Sequence, residues 1–244
     1  MQQIVTEGHR GYCAKYPENT LVSFQAALAF GVDAFEFDVW LSKDKVPVLM
    51  HDASAYRTCG VDRQMTDMTI AEIKALDAGS RFHVKFAGEK VPMLEEVLAL
   101  TAAARPDFLL GVEIKEYTEE CADVTVRLLN EHGITGRCFF YCFNARIIRY
   151  LKEQHGVRTM GYPDFQMRDF FDGAYQYYDD IGISMSILKS EVFPVFADKG
   201  LPMHMYCADN ETDVRLSIEK GAAFITANDP TALHKVLGRS IGKA

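Results

Sequence analysis

Gly200-Leu-Pro-Met-His-Met-Tyr-Cys-Ala-Asp-Asn210-Glu-Thr-Asp-Val-Arg-Leu-Ser-Ile-Glu-Lys-Gly221 contains one complete structural unit of the chain. The apolar run over 202–208 predicts a strand, Asn210 offers a side-chain cap, and 210–220 has the periodicity of an amphipathic helix. Gly200 and Gly221 stand where helices must stop, in the left-handed position that glycine tolerates best. The same pattern of strand, turn and helix recurs along the chain without any recurrence of residue identity. Strands are predicted near 3–8, 34–41, 108–115, 137–143, 158–162, 180–186, 202–208 and 222–228. Helices are predicted over 20–30, 93–104, 119–132, 144–155, 168–177, 190–199, 210–220 and 230–238. Gly31, Gly133 and Gly156 close helices in the same way, and Asp229 opens one as Asn210 does.

Eight such units in 244 residues point to a closed parallel barrel, an α/β fold of the (β/α)8 TIM-barrel type. An open doubly wound sheet would carry a glycine-rich turn after its first strand. The turn here is His9-Arg10-Gly11-Tyr12. No linker or charge run divides the chain, so residues 1–244 are expected to form a single domain. An insertion after the second strand, about 52–92, is expected to carry a short helix near 69–78 and a polar stretch near 79–90. Long loops that follow barrel strands lie on the catalytic face, so this insertion is expected to cover the site.

Apolar residues make up 48% of the chain, enough for a core of this size. The formal charge of −8, with 34 acidic against 26 basic residues, argues against a nucleic-acid partner. It leaves room for a small anionic ligand, because a few local cations suffice to hold one phosphate. The N-terminal segment lacks the charged start and apolar stretch of a secretory signal, and no apolar run approaches membrane-spanning length. Six cysteines are dispersed with no Cys-x-x-Cys pair, the usage of a reduced, cytoplasmic protein. Nothing in the sequence specifies an oligomeric state.

Polar residues within apolar strands carry the chemical information. The second strand reads Phe35-Glu36-Phe37-Asp38-Val39-Trp40, the third ends Val112-Glu113-Ile114-Lys115, and the first runs into His9-Arg10. Alternate positions share one face of a strand. Outside a barrel, under helices, unpaired charges would cost several kcal/mol each. Near the inner rim, a cation could neutralise Glu36, Asp38 and Glu113 together. After Asp38 the chain forms a predicted hairpin with Asp44-Lys45 at its tip. Pairing about that two-residue turn sets His51 opposite Asp38. The other histidines, at 83, 132, 155, 204 and 234, are read as structural.

An all-oxygen site of three carboxylates favours a hard divalent cation, Mg²⁺ or Ca²⁺, over Zn²⁺. Arg10 and Lys115 add the positive charge that a phosphodiester needs, and His9 with His51 supplies an acid–base pair. These residues predict metal-assisted cleavage of a phosphodiester.

The motifs His9-Arg10-Gly11, Pro17-Glu18-Asn19-Thr20, Glu36-x-Asp38, His51-Asp52 and Val112-Glu113-Ile114-Lys115 resemble the glycerophosphodiester phosphodiesterases in order and spacing. The resemblance continues through 66–79 and 91–98 and ends at 221–230. It implies a TIM barrel that hydrolyses glycerophosphodiesters, its small-molecule substrates, to an alcohol and glycerol 3-phosphate. It also implies Glu36, Asp38 and Glu113 as ligands of one Ca²⁺ or Mg²⁺, His9 and His51 as acid and base, and Arg10 and Lys115 on the phosphate. In the related mechanism a glycerol hydroxyl attacks first, giving a cyclic phosphate that water opens. Asn19 is expected to order the first loop by hydrogen bonding. Two stretches depart from the family pattern. The Trp-Thr-Val-Asn segment common on strand seven is replaced by Tyr206-Cys207-Ala208-Asp209, with Tyr206 expected to wall the pocket, and 53–60 also drifts.

Three other readings compete. A related barrel phosphodiesterase acting on lysophospholipid or sphingolipid would expose apolar residues at the mouth, with Phe82, Phe86 and Met93 as candidates. A Schiff-base enzyme would use Lys115 as nucleophile, but three nearby carboxylates would keep that amine protonated. A catalytically silent binding protein would not need the whole set of residues that is present.

Overall fold

The computed structural model describes residues 4–102 and 105–242. Gln3 of the first predicted strand, positions 103–104 of the predicted helix 93–104, and the outermost residues of the predicted domain lie outside the described residues. Nine strands form the sheet: β1 (Val5–Gly8), β2 (Ala34–Leu41), β3 (Pro47–Leu49), β4 (Leu109–Ile114), β5 (Cys138–Tyr141), β6 (Thr159–Gly161), β7 (Asp180–Ser184), β8 (Met203–Tyr206) and β9 (Ala222–Ala227). All except β3 pair in parallel with their neighbours, and β1 pairs with both β2 and β9, which closes the eight-stranded ring. The expected barrel is present. β3 is an additional strand, antiparallel on the end of β2.

Ten α-helices are described: α1 (Leu21–Phe30), α2 (Tyr56–Cys59), α3 (Ile70–Ala75), α4 (Leu94–Thr101), α5 (Glu119–Glu131), α6 (Ala145–Tyr150), α7 (Met185–Leu188), α8 (Phe193–Ala197), α9 (Glu211–Glu219) and α10 (Thr231–Leu237). In α5, Cys121, Ala122, Thr125, Val126 and Leu129 are buried, the spacing of one helical stripe, and Thr118 caps the start through Cys121 N. Phe24 of α1 packs on Phe35 of β2 with ring centroids 4.6 Å apart, so the outward side of β2 is sealed by aromatic contact. Asn210 caps α9 as expected, accepting from Asp213 N at 3.0 Å. Asp229 accepts from Thr231 N at 3.0 Å, just ahead of α10.

Four expectations need correction. Residues 168–177 are not an α-helix. Arg168 N donates to Phe143 O at 2.7 Å, Asp169 takes φ 49°, and only a 3-10 turn follows at Ala174–Tyr177. Their aromatic side chains pack onto the barrel core, and this tertiary packing overrides the helical spacing. The predicted helix 190–199 is shorter, Phe193–Ala197, and the end of the predicted strand 180–186 turns into α7. In the hairpin, Val39 pairs with Leu49 and Leu41 with Pro47, one residue out of the expected register. The cause is Lys45 at φ 64°. Ser42 N donates to Val46 O and Lys45 N to Ser42 O, so the loop has three residues with the last left-handed. Met50 N therefore bonds Asp38 O, and His51 is not the residue opposite Asp38.

The insertion has its own small core. Val48, Met50, Ala55, Met65, Met68, Ile73, Ala78 and Val91 are buried together, with Trp40 and Met93 packed against them. Phe86 is buried, whereas Phe82 and Val84 are exposed.

Candidate active site

The pairing of β2 with β4 assembles the acidic cluster. Asp38 lies directly opposite Glu113, and Glu36 lies opposite Gly111. With side chains alternating, Glu36, Asp38 and Glu113 share the inner side of the barrel at its C-terminal rim. All three are buried, and one ligand atom from each lies within 4.8 Å of the other two. This is the only such metal-competent group among the described residues.

Arg10 follows the end of β1 in a tight turn. Its φ is 50° and that of Gly11 is 85°. A side chain at Gly11 would meet Ser23 Oγ at 2.5 Å and Ser23 backbone at 2.7 Å, so the approach of this turn to α1 requires glycine. The turn aims Arg10 N at Glu36 Oε2, 2.8 Å away, and brings Arg10 Nε to 3.4 Å from Asp38 Oδ2. Asn19 acts as expected of a loop-ordering residue. Its amide donates to Asp38 Oδ2 at 2.7 Å, and its own N–H donates to Arg10 O. Lys115 donates to Glu113 Oε1 at 2.9 Å and lies 3.6 Å from Asp38 Oδ1.

A cavity of about 220 Å³ opens here, with His9, Arg10, Glu36, His51 and Glu113 in its lining. Tyr141, Phe143, Met160, Tyr162 and Tyr206 wall it, and Glu7, His204 and Thr226 also line it, one strand layer deeper. Asp38 and Lys115 do not line it and stand behind Glu36 and Glu113. Tyr206 meets Tyr162 edge to face with centroids 5.8 Å apart. His204, read from sequence as structural, is buried and stacks on Phe224 at 3.7 Å, with Nε2 3.5 Å from Asp180 Oδ1.

Each imidazole is oriented by a partner on Nδ1. His9 Nδ1 is 2.7 Å from Asn228 Oδ1. Asn228 in turn donates Nδ2 to Asp209 Oδ2 at 2.6 Å, which fixes its carbonyl oxygen toward the histidine. His9 Nδ1 is therefore the protonated nitrogen, and Nε2, 3.9 Å from Glu36 Oε2, is left with its lone pair. His51 Nδ1 is 2.6 Å from Asp52 Oδ1, and Asp52 is held by Arg57 Nε at 2.6 Å. Asn228, Asp209, Arg57 and Glu7 were not singled out in the sequence. The available signal for Asn228 was its place just beyond the C-terminal end of the last strand, where barrel sites gather.

The electrostatics favour a bound cation. Burial, then the charge of Asp38, lifts Glu113 to about 7 despite Lys115. Burial and Asp38 likewise raise Glu36 well above the usual carboxylate range against the pull of Arg10. Asp38 stays below that range, because Arg10, Lys115 and His51 outweigh its burial. Burial and the adjacent Arg10 lower His9 to about 4, so it is neutral at pH 7. Glu36 Oε1 and Asp38 Oδ1 are buried without any hydrogen-bond partner. Crowded carboxylates with unpartnered oxygens suit a hard divalent ion, which would draw their protons off and complete their coordination.

The family model for the glycerophosphoryl diester phosphodiesterase family matches residues 9–232. A glycerophosphodiester phosphodiesterase of Caldanaerobacter subterraneus subsp. tengcongensis is 36% identical over 239 residues, covering 92% of this chain and 94% of its own. Another, from Bacillus subtilis, is 28% identical over 96% of this chain and 86% of its own. The crystal structure of a glycerophosphodiester phosphodiesterase from Agrobacterium tumefaciens superposes with a TM-score of 0.81 at 25% identity, covering 96% of this chain and 100% of that one. A phosphodiesterase of Oleispira antarctica, solved with the product sn-glycerol-3-phosphate, shares the fold with a TM-score of 0.82 at 22% identity over 96% of each chain.

Proposed function

The chain belongs to the glycerophosphoryl diester phosphodiesterase family and is a phosphoric diester hydrolase, and from that premise we propose a metal-dependent, two-histidine cleavage of glycerophosphodiesters to an alcohol and glycerol 3-phosphate. One observation carries the metal requirement. Three buried carboxylates converge within 4.8 Å, with oxygens that no protein donor satisfies. Glu36, Asp38 and Glu113 would hold one Ca²⁺ or Mg²⁺. That ion, when bound, supplies positive charge to the non-bridging oxygens of the phosphoryl group.

The chain's own residues do the rest. Arg10 lines the cavity from a turn fixed by Glu36 and Asp38, and Lys115 adds a second cation behind Glu113, so the phosphate site carries two positive charges. His9, with its Nδ1 proton held by a neutral amide, keeps an open Nε2 lone pair and accepts the proton of the attacking glycerol hydroxyl, giving a cyclic phosphate that water then opens to glycerol 3-phosphate. His51, its ring oriented by the Asp52 carboxylate on Nδ1, gives the leaving alkoxide its proton. Tyr206 walls the side on which the alcohol departs. Residues 1–244 act as one catalytic domain. The six free cysteines support action in the reducing cytoplasm.

A second substrate class has one observation in its favour. Phe82 and Val84, in the insertion, are 44% and 78% exposed, the kind of surface a lysolipid chain would contact. Two measurements separate these readings. Chelator-treated protein is supplied with Mg²⁺, Ca²⁺ or Mn²⁺ one at a time and assayed against glycerophosphocholine, glycerophosphoethanolamine and lysophosphatidylcholine. Full turnover without metal, or in a Glu113→Gln variant, ends the metal proposal. Turnover of the lysolipid alone replaces the substrate class.

A further inference from the structure

Arg57 belongs to the insertion, not to the barrel, yet it contacts both carboxylates that orient the residues flanking the cavity. Its Nη1 and Nη2 donate to Glu18 Oε2 at 2.8 Å and Oε1 at 2.7 Å, a two-pronged grip, and its Nε donates to Asp52 Oδ2 at 2.6 Å. Glu18 Oε1 in turn accepts from Arg10 Nη1 at 3.0 Å, while Asp52 Oδ1 is on His51 Nδ1 at 2.6 Å. A single planar guanidinium therefore joins the loop carrying Arg10 to the loop carrying His51. The residue is itself anchored. It sits on α2, and Arg81 Nε donates to the Arg57 carbonyl at 3.0 Å from the far side of the insertion.

We propose that Arg57 is a positioning residue that sets Arg10 and His51 relative to each other across the bound phosphate. The proposal rests on the roles assigned to those two residues above. It also gives the insertion a task in catalysis, that of delivering the brace. Its physical basis is geometric and electrostatic. Only a fork of N–H donors can satisfy two carboxylates in one plane, which a lysine ammonium cannot do. Burial opposes the ionisation of Glu18, and the hydrogen bonds from Arg57 with the charge of Arg10 overcome it. The same holds for Asp52, where Arg57 and His51 overcome burial. Removing Arg57 leaves Glu18 with Arg10 alone and Asp52 with His51 alone, and frees both loops to drift.

Arg57 is about half exposed, so Arg57→Ala is expected to fold and melt within about 2 °C of the parent. Its kcat/KM with glycerophosphocholine should fall by about 10 to 100-fold, more through kcat than KM, because an ångström of misplacement has that effect. Arg57→Lys should recover little of the loss. Guanidinium chloride at tens of millimolar should restore Arg57→Ala by roughly fivefold, and sodium chloride at equal ionic strength should not. Arg57→Ala within about twofold of the parent overturns the brace, and so does a loss that guanidinium relieves no better than sodium. His51→Ala and Arg10→Ala are run alongside. Parental activity in these would remove the role assignment itself, whereas their inactivity with a fully active Arg57→Ala would remove the brace alone.

Discussion

Replacing Glu7 by Gln should make this protein more stable, and increasingly so as pH rises. Glu7 is buried inside the barrel below Glu36. Its Oε2 accepts from Thr226 Oγ1 at 2.6 Å, and its Oε1 has no partner. Burial, only partly offset by Thr226, moves its pKa from 4.5 to about 7. In the unfolded chain the carboxyl ionises near 4.5, whereas the folded chain keeps the proton up to about 7. The stability available with Glu7 protonated is thus fully present below pH 4.5, declines as pH rises, and levels off above 7. At about 1.4 kcal/mol per pH unit, the total penalty at high pH is about 3 kcal/mol. About 1.4 kcal/mol of it is already present at pH 5.5, so the remaining 2 kcal/mol or so develops between pH 5.5 and 8.5. Glutamine keeps the shape and an acceptor but cannot ionise. Urea unfolding of parent and Glu7→Gln, both with chelator so that no ion intervenes, should show their difference widening by about 2 kcal/mol from pH 5.5 to 8.5. Glu36 and Glu113 titrate in both proteins and largely drop out of the difference. A gap that is the same at both pH values, or that narrows on going up, refutes the claim that burial holds a proton on Glu7.

Three other outcomes are expected. Gly111→Ala places a methyl 2.8 Å from Glu7 Oε1 and 3.0 Å from the Phe139 ring, and should lower stability by about 1–3 kcal/mol in thermal unfolding; an unchanged midpoint would show that the barrel interior yields there. Asp209→Ala frees Asn228 from the bonds at 2.6 Å that orient it, and should lower kcat by about 10-fold with KM little changed; equal loss in both would mean that Asp209 acts on binding. His51→Ala should reduce kcat by about 100-fold or more, and a rise in KM alone would reduce His51 to a binding role.

Glu36, Asp38 and Glu113 were legible because a polar residue at every second position of an apolar strand has few places to go. The barrel was legible for a related reason, since the repeat of strand and helix is periodic and local. The hairpin register was not, because it turns on one backbone angle at Lys45, and an Asp-Lys tip reads equally well as a two-residue or a three-residue loop. The false helix at 168–177 arose because Phe170, Phe171, Tyr175 and Tyr177 have helical spacing, yet they pack on the core while Arg168 and Asp169 bond residues 143–145. The groups that hold the histidines in place were hidden for a different reason. Arg57 meets Glu18 across 39 positions and Asn228 meets His9 across 219, and no periodicity links such residues. Glu7 escaped notice as a single acid in a short strand.

The pairing of β1 with β9 has a consequence for synthesis. His9 precedes the clustered acids in the chain, and the three of them are complete by Glu113. The amide that fixes the His9 tautomer arrives with Asn228, beyond the strand that seals the ring. A nascent chain therefore carries its clustered acids through the synthesis of residues 114–227 before His9 can be aligned by Asn228. On the role proposed for His9, hydrolytic competence comes last, and turnover measured on arrested chains of increasing length would report when the seam shuts.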